Sequence, residues 1–300
     1  MLSDKKLKIY HKFFRFLLKH DIKGVRFLAD RLPKKFLNLP KNEVVIETLG
    51  GSMLTVNPAV DKTIDPFLYY YGVYEWGTLN VIEKLLKPNN TFVDVGANVG
   101  IISLFASRLL NKNGKVIAFE PLPSSFEMLE NNIRLNNIKN IETFPYACSN
   151  NLKTKYISLE SAENRGGASL KTNIENSSTS VKSIILDDFL EIIPDFIKID
   201  VEGHELEVLE GLKNILSSKK PPILIVESSS ETETQNSSPE RIYNFLKEIS
   251  SNYKIYKLKG AKVRPSKLIE VKSKEMLPND DNIFCFPKVK NYLVEKLVNS

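Results

Sequence analysis

The segment 196–205, which reads FIKIDVEGHE, places several titratable residues at the end of a strand-like run. Because side chains alternate along a strand, Lys198, Asp200 and Glu202 share one face, and the intervening apolar residues share the other. A charged group inside a sheet is costly unless it has a partner. We therefore expect Lys198 and Asp200 to pair with each other or to meet a ligand.

Directly after this run, Gly203 allows a turn, and His204 and Glu205 begin a helix whose positive N-terminal end favours carboxylates. Such a group of residues indicates an active centre, although a capped helix beside a structural ion pair would use the same residue types. A carboxylate or His204 would take a proton, and Lys198 would hold the carboxylate or stabilise a developing alkoxide. The catalytic candidates are Lys198, Asp200, Glu202 and His204.

The same acids allow a second interpretation, a site for a divalent cation. Asp200, Glu202 and Glu205 offer oxygen ligands, which suit Mg²⁺ or Mn²⁺. Such an ion would orient an acceptor molecule, and the sequence leaves this hypothesis as an alternative to direct proton transfer.

A second segment, TFVDVGANVG at 91–100, predicts a ligand site. A strand-like run ends in Asp94 and continues through Gly96 and Gly100 into a helical pattern. Glycines let the backbone approach a ligand, and the helix N-terminus offers free N–H groups. The loop reads G-x-x-x-G and lacks both the G-x-G-x-x-G of dinucleotide sites and the lysine of a P-loop. This pattern favours a nucleotide-like ligand with an ammonium group, which Asp94 would accept.

Glu120 ends the next strand-like run, 26 residues after Asp94. A carboxylate there would accept both ribose hydroxyls of a ligand and would repel the 2′-phosphate of NADP. Asp94 and Glu120 together fit S-adenosylmethionine or NAD, and the glycine spacing favours S-adenosylmethionine.

Alternating strand-like and helical patterns must position these residues. The strand candidates are 91–95, 115–120, 141–146, 195–201, 222–227, 253–258 and 282–286, and the helical patterns are 100–110, 124–136, 205–217 and 239–250. Nearly continuous apolar strands are typical of a mostly parallel sheet covered on both faces. The sequence therefore predicts a doubly wound, Rossmann-like α/β fold, in which ligands bind beyond the carboxyl ends of the strands. Two polar segments, 161–180 and 228–238, are candidate acceptor loops or solvated surface loops.

The composition limits the classes of protein. Of the 300 residues, 42% are hydrophobic and 26% charged, as in a globular protein. No apolar run reaches the roughly 18 residues that would span a bilayer. The net charge of +6 is uneven, because residues 1–41 hold 12 Lys and Arg against three Asp, a net of +9, and the remainder has a net of −3. Because the pI of about 9.0 comes from this one segment, a nucleic-acid interpretation based on the pI alone is weakened.

Two features bear on location and domain organisation. Cys148 and Cys285 have no disulfide or metal spacing, which fits buried thiols in a reducing cytoplasm. Residues 2–20 form a basic amphipathic pattern without a signal-peptide core, and it would either pack on the domain or lie on an anionic membrane surface. We predict a helical extension at 1–42 and a catalytic domain at 43–300. The expected location is the cytoplasm. If the protein lies at the inner face of a membrane, we expect the N-terminal extension to contact the lipid surface.

Seven stretches in this order resemble the FkbM family of S-adenosylmethionine-dependent methyltransferases, from about residue 43 to 287. The first four are GVYEWGT at 72–78, FVDVGANVGIISLFAS at 92–107, GKVIAFEPLPSSFEMLENNIRLN at 114–136 and GGASL at 166–170. The others are LDDF at 186–189, IKIDVEGHELEVLEG at 197–211 and PPILIVE at 221–227. The glycine loop alone is common among methyltransferases, but its combination with FEP and IKIDVEGHE is specific.

The resemblance implies a class I methyltransferase sheet of seven strands and methyl transfer from S-adenosylmethionine, usually to a hydroxyl of a sugar, glycolipid, polysaccharide or polyketide. It implies that Asp200 faces the reacting centre and the cofactor, and that Glu120 binds the ribose. Glu75, in GVYEWGT, is a further candidate for cofactor contact, with a surface position as its alternative. The residues implied around the methionine part of the cofactor are Asp94, Gly96, Asn98 and Gly100.

Other functions use some of the same features. An NAD-dependent oxidoreductase would bind a dinucleotide through the same carboxylates. A nucleic-acid methyltransferase would use the basic segment, although the fourth predicted strand ends in D-V-E-G and not in the N/D-P-P-Y type used on exocyclic amines. A non-catalytic, membrane-associated binding protein would depend on residues 1–41. We expect a carbohydrate-like or other small-molecule acceptor and no nucleic acid partner.

Overall fold

The computed structural model describes residues 9–13, 16, 38–159, 168–171, 179–229, 238–249 and 253–298. The strands are β1 (Val44–Glu47), β2 (Met53–Val56), β3 (Thr91–Val95), β4 (Lys115–Phe119), β5 (Ile141–Phe144), β6 (Ala147–Cys148), β7 (Thr154–Leu159), β8 (Ala168–Lys171), β9 (Thr179–Ile184), β10 (Phe196–Ile199), β11 (Ile223–Ser228), β12 (Lys254–Leu258), β13 (Leu268–Glu270) and β14 (Asp281–Phe286). The α-helices are α1 (Ile64–Tyr71), α2 (Trp76–Leu85), α3 (Ile101–Leu109), α4 (Pro123–Leu135), α5 (Leu186–Phe189), α6 (Glu205–Glu210), α7 (Lys213–Leu216), α8 (Pro239–Glu248) and α9 (Glu295–Val298). Short 3₁₀ helices lie at Lys274–Met276 and Lys288–Leu293.

The large sheet has the strand order β13-β12-β14-β11-β10-β3-β4-β5. Its five strands from β11 to β5 are parallel, whereas β14, β12 and β13 join by antiparallel pairing. The predicted doubly wound α/β architecture is confirmed, and all seven strand candidates are strands. The described part of this sheet has one strand more than the seven predicted, because the three-residue β13 pairs with β12 at its edge, and a strand that short leaves no clear pattern in a sequence.

Alternate residues of each central strand pack against different helices, as a sheet covered on both faces requires. Phe92 and Phe196 lie in a core with the buried leucines of α1 to α4, and their rings stack at 6.3 Å. Val93 and Ile197 lie in the opposite core with residues of α5 to α8. This alternation places Asp94 and Lys198, two residues beyond the phenylalanines, on the same face of the sheet.

Strand register brings the charged residues of β3, β10 and β11 to one edge of the sheet. Lys198 is the register partner of Asp94 on β3 and of Ile225 on β11. Chain order reverses between β3 and β10, since β4 lies on one side of β3 and β10 on the other. Ligands of open α/β sheets bind at such a reversal, beyond the carboxyl ends of the strands.

Other segments depart from the sequence-based prediction. The polar segment 161–180 was predicted as a loop, but β8 and the start of β9 lie within it and pair with β7 in a second sheet. Most of that segment and of 228–238 lies outside the described residues. The helix predicted at 205–217 is divided into α6 and α7, and Asp187 occupies the break: its N–H donates to the Gly211 carbonyl, and its carboxylate accepts from the N–H groups of Asn214 and Ile215. Among the described helices, none has the length and apolarity needed to cross a bilayer.

Candidate active site

The glycine loop after β3 passes directly over the end of β10. The N–H groups of Gly96 and Ala97 both donate to the carbonyl of Phe119, at 2.9 and 3.0 Å. Gly96 has a φ of +81°, and an added Cβ would lie 1.8 Å from the Asp200 carbonyl oxygen. Only glycine therefore allows this loop and the end of β10 to approach so closely.

Asp94 and Asn98 direct polar atoms into the loop region. Ser103 on α3 donates to Asp94 Oδ2 at 2.6 Å, which fixes the carboxylate. Burial raises the pKa of Asp94, and Lys198 and Ser103 oppose this shift. Asp94 Oδ1 and Asn98 Oδ1 are buried acceptors without a hydrogen-bond partner among the described residues. Buried acceptors of this kind are uncommon and suit a donor supplied by a ligand.

Glu120 anchors the same loop from the end of β4. Its two carboxylate oxygens accept hydrogen bonds from the backbone N–H groups of Asn98 (2.8 Å) and Leu122 (2.9 Å). Burial raises the pKa of Glu120 to about 7, although these two bonds oppose the shift. Each carboxylate oxygen has further lone pairs. Glu120 can thus hold the loop and still accept a hydrogen bond from a ligand.

Lys198 and Asp200 form a buried ion pair at the end of β10. The Lys198 ammonium donates to Asp200 Oδ2 at 2.8 Å. Burial alone would raise the pKa of Asp200, but Lys198 and Lys262 outweigh it and lower the pKa. Burial alone would lower the pKa of Lys198, but Asp200 and Asp94 outweigh it and raise the pKa. Both partners are therefore held in their charged forms, as the pairing expected from the sequence requires.

A cluster of three carboxylates, which we call the acidic cluster, consists of Asp200, Glu202 and Glu227. One oxygen atom of each lies within 4.8 Å of the others. Burial and the charge of Asp200 raise the pKa of Glu202 to about 8 and that of Glu227 to about 10. Glu227 Oε2 is buried and has no hydrogen-bond partner among the described residues.

The structure groups Asp200 and Glu202 with a different third carboxylate from the Glu205 of the predicted cation-binding set. Glu205 Oε1 accepts from the N–H groups of Val201 and Gly203, both at 3.1 Å, and so closes the turn before α6. Glu227, at the end of the neighbouring strand β11, takes its place in the acidic cluster. Parallel pairing of β10 with β11 brings the two strand ends together, whereas Glu205 lies one turn farther along its own chain.

Lys262 connects the acidic cluster to Glu75. Its ammonium lies 3.0 Å from Glu227 Oε1 and 3.6 Å from Glu75 Oε1. Asn282, at the start of β14, donates to Glu75 Oε2 at 2.8 Å. Only 4% of the surface of Glu75 is exposed, so the surface position considered for it is excluded. Its carboxylate belongs to the polar network beside the acidic cluster.

Unusual backbone conformations gather at this edge of the sheet. Six non-glycine residues of the described chain have positive φ, and five of these belong to the site or to the segments that carry Lys262 and Asn282. The five are Glu75, Asn98, Glu202, Ala261 and Asp280. Such conformations cost free energy and persist where surrounding structure holds them, often at functional sites.

His204 contacts a carboxylate outside the acidic cluster. Its Nδ1 is 3.5 Å from Glu207 Oε1, and Glu207 also accepts from Ser149 and Lys155. The hydrogen bond with His204, helped by those with Lys155 and Ser149, lowers the pKa of Glu207 to about 2. The contact with Glu207 places His204 on the side of α6 that faces β7, and a proton-accepting role for His204 stays a prediction from the sequence.

Sequence reasoning identified part of this site and missed the rest. Of the residues named from the sequence, the structure brings together Asp94, the glycine loop, Glu120, Lys198, Asp200 and Glu202. Glu227 had a usable signal, because it ends the apolar run ILIVE and strand ends carry ligand sites. No pattern in the sequence pointed to Lys262 or Asn282, because only the packing of the loop after β12 and of β14 brings them to Glu75.

Comparison with known proteins identifies what the chain resembles. The family described as "Methyltransferase FkbM domain" matches residues 94–254. The hexuronic acid methyltransferase AglP of Haloferax volcanii is 34% identical, over 47% of this chain and 59% of that protein. Methyltransferase sdnD of Sordaria araneosa is 30% identical, over 42% of this chain and 61% of that protein. The chain thus spans about three fifths of the length of these curated relatives.

A comparison of folds gives a related result. The crystal structure of a methyltransferase FkbM from Methylobacillus flagellatus aligns with a TM-score of 0.48 and 18% identity, over 94% of this chain and 59% of that chain.

Proposed function

Since the chain belongs to the FkbM methyltransferase family, we propose that it uses S-adenosylmethionine to methylate a hydroxyl of a sugar-like acceptor. The observation that carries this proposal is the acidic cluster at the ends of β10 and β11, next to the glycine loop of β3. A methyl donor binds at such a loop, and a weakly acidic hydroxyl needs a group that takes its proton.

The residues of the glycine loop fit S-adenosylmethionine. Asp94 and Asn98 offer buried acceptor atoms for the ammonium of its methionine part. Glu120 keeps lone pairs for the ribose hydroxyls while it holds the loop. When bound, S-adenosylmethionine supplies an electrophilic methyl group for an in-line displacement, and the enzyme gains rate chiefly from proximity and orientation.

Two carboxylates of the acidic cluster would have different roles toward the acceptor hydroxyl. Asp200, held ionised by Lys198, accepts the hydrogen bond of the acceptor hydroxyl and orients its oxygen. Glu202 takes the proton, because its side chain is only partly buried and its pKa of about 8 lies near neutral pH, where a general base is most effective. As the new O–C bond forms, the S–C bond breaks and its electron pair stays on sulfur. The proton then leaves Glu202 for solvent.

The acceptor class rests on one relative and on the chemistry of the site. AglP is named as a hexuronic acid methyltransferase. Carboxylates accept hydrogen bonds from several hydroxyl groups at once, which suits a polyhydroxylated acceptor. Both considerations favour a carbohydrate, and a metabolite with similar hydroxyl groups fits the same chemistry.

The direct test is transfer of a labelled methyl group from S-adenosylmethionine to a panel of glycans, uronic acids and glycolipids. We expect label in a base-stable ether of at least one panel member and release of S-adenosylhomocysteine. Label on nitrogen, or label in RNA and in no glycan, would contradict the proposal. Thermal-shift assays with S-adenosylhomocysteine and with NAD distinguish a methyltransferase from an oxidoreductase, because only S-adenosylhomocysteine should stabilise a methyltransferase.

The variant Asp200→Asn tests the role of the acidic cluster. We expect a loss of methyl transfer of about 100-fold, because the acceptor oxygen is no longer held in line by an ionised carboxylate, with unchanged affinity for S-adenosylhomocysteine. The matched control is Asp188→Asn, which neutralises an exposed carboxylate on α5. Undiminished methyl transfer in Asp200→Asn would contradict the role proposed for the Asp200 carboxylate.

A further inference from the structure

A cavity of about 510 Å³, which we call the α2–α3 cavity, lies between α2 and α3. Trp76, Asn80 and Glu83 line it from one face of α2, at positions i, i+4 and i+7 of that helix. Phe105 and Arg108 line it from α3. All of its lining residues belong to the described part of the chain. Its volume is within the range of roughly 300–1,000 Å³ that is typical of small-molecule sites.

The α2–α3 cavity begins beside the polar network of the active site. Trp76 directly follows Glu75, and Pro265, which also lines the cavity, lies three residues after Lys262. The N–H of Gly77 donates to the Lys262 carbonyl at 2.8 Å and fixes the start of α2 against this loop. The face of α2 that lines the cavity then rises about 10 Å along the helix axis. The cavity therefore extends along α2 from the segments that carry Glu75 and Lys262.

Arg108 is held in position at the wall of the cavity. Its Nε donates to Ser52 Oγ at 2.7 Å, and its Nη2 donates to Asn136 Oδ1 at 3.0 Å. Ser52 is buried, and Asn136 also accepts from the Met53 N–H at 2.7 Å, so both partners are themselves fixed. A guanidinium group has five N–H donors, and these two bonds leave the others for a ligand.

The polar groups of the cavity favour a neutral ligand that carries hydroxyl groups. Glu83 and Arg108 are the charged residues that line it, and these two described residues form no ion pair with each other. Their charges are opposite, which favours neither an anion nor a cation as the ligand. A hydroxyl group donates one hydrogen bond and accepts others, so it can bind the Glu83 carboxylate, the Arg108 guanidinium or the Asn80 amide.

The aromatic part of the wall fits the face of a sugar ring. Trp76 and Phe105 present large apolar surfaces to the same space that contains the polar groups. A sugar ring carries C–H groups on its faces and hydroxyl groups around its edge. It can therefore stack one face on an aromatic side chain while its hydroxyl groups bind Asn80, Glu83 and Arg108.

We propose that the α2–α3 cavity binds a sugar residue of an oligosaccharide acceptor, next to the sugar residue that is methylated. This inference rests on the proposed function for the methylated residue, whereas binding in the cavity requires no methyl transfer. Trp76 stacks on the bound ring, and Asn80, Glu83 and Arg108 bind its hydroxyl groups. The acceptor is then held beside the segments of Glu75 and Lys262, which restricts the positions that its reacting hydroxyl can take.

The fluorescence of Trp76 tests the proposal directly, because Trp76 is the only tryptophan of the chain. The full-length protein is titrated with maltotetraose, cellotetraose and chitotetraose, and separately with myristate, with excitation at a wavelength that tyrosine does not absorb. We expect a saturable change in fluorescence with at least one tetrasaccharide and none with myristate. A response to no tetrasaccharide, or a response to myristate alone, would overturn the proposal, and the second result would assign the cavity to an apolar chain.

The double variant Asn80→Ala/Glu83→Gln should weaken the affinity for the responding tetrasaccharide about tenfold or more, because it removes two hydrogen-bonding groups. The matched control is Glu127→Gln, at an exposed glutamate on α4, and it should bind as the parent does. Parental affinity in the double variant, or an equal loss in the control, would contradict the assignment of the cavity.

A comparison with methyl transfer keeps this inference separate from the proposed function. Stabilisation by S-adenosylhomocysteine should be the same in all variants, which shows that the fold is retained. With oligosaccharide acceptors, the double variant should raise KM about tenfold and leave kcat unchanged, whereas a damaged fold would lower kcat. Tetrasaccharide binding without methyl transfer to any glycan would contradict the proposed function and leave the sugar site in place.

Discussion

The ammonium of Lys262 lies 3.0 Å from Glu227 Oε1 and joins the segment after β12 to the end of β11. Lys198 contacts the acidic cluster from β10 itself, whereas Lys262 contacts it from the segment after β12. Burial would lower the pKa of Lys262, but the charges of Glu75 and Glu227 outweigh it and raise the pKa. The residue therefore stays charged, and its charge lowers the pKa of Glu202 and of Glu227 against the effect of burial.

The variant Lys262→Met should move the acidic limb of the pH profile of methyl transfer to higher pH. Lys262 lowers the pKa of Glu227 and Glu202, so removing its charge raises both and a higher pH is needed to ionise the acidic cluster. A rise of one unit in the pKa would lower the rate on that limb about tenfold. The measurement is kcat against pH. Lys262→Arg should keep the profile, and Lys254→Met, which removes an exposed lysine on β12, is the control. A parental profile in Lys262→Met would show that this charge does not act on the reacting group.

The proposed base, Glu202, predicts the direction of the pH dependence. A base works only when deprotonated, and the pKa of Glu202 is raised to about 8, so activity should increase as the pH rises through that region. The three carboxylates titrate as an interacting group, and the profile reports their combined behaviour. Glu202→Gln should lose this limb and about 100-fold in kcat. Glu210→Gln, at an exposed glutamate on α6, should retain both. An unchanged limb in Glu202→Gln would assign the proton to another residue.

Gly96 offers a test of the close approach between β3 and β10. In Gly96→Ala, the alanine must adopt a positive φ, and its Cβ would lie 1.8 Å from the Asp200 carbonyl oxygen. In Gly51→Ala, the alanine must adopt a φ of +76°, but its Cβ has no other atom within 4 Å. Gly51→Ala should cost about 1 kcal/mol in the free energy of unfolding, the strain of a left-handed alanine. Gly96→Ala should cost about 3 kcal/mol or more, because overpacking adds to that strain. Denaturant unfolding measures both, and equal costs would mean that the loop moves aside freely.

A chelator distinguishes the cation hypothesis from direct proton transfer. Lys198 and Lys262 already lie 2.8 and 3.0 Å from Asp200 and Glu227, so positive charge is present in the acidic cluster without a metal ion. We expect methyl transfer to continue undiminished after treatment with EDTA. Loss of activity that added Mg²⁺ or Mn²⁺ restores would instead assign the acidic cluster as a cation site.

The sequence alone determined the architecture and named the residues at the strand ends that the structure brings together. Apolar strand runs predicted the parallel sheet, because each parallel strand is buried on both faces whatever its neighbours are. The two-residue period placed Lys198 with Asp200, since side-chain alternation depends only on the local backbone. Asp94 and Glu120 were named because each stands at the end of an apolar strand-like run, and ligands of open α/β sheets bind beyond such strand ends.

Tertiary structure decided which distant residues complete the site. Glu227 replaced Glu205 because parallel pairing, and not closeness along the chain, brings two carboxylates together. Lys262 and Glu75 meet only because loops from both sides of the family-matched region pack on the ends of the strands, and no local pattern records that contact. His204, within the motif itself, contacts Glu207 on α6, since a helix turns successive side chains to different sides.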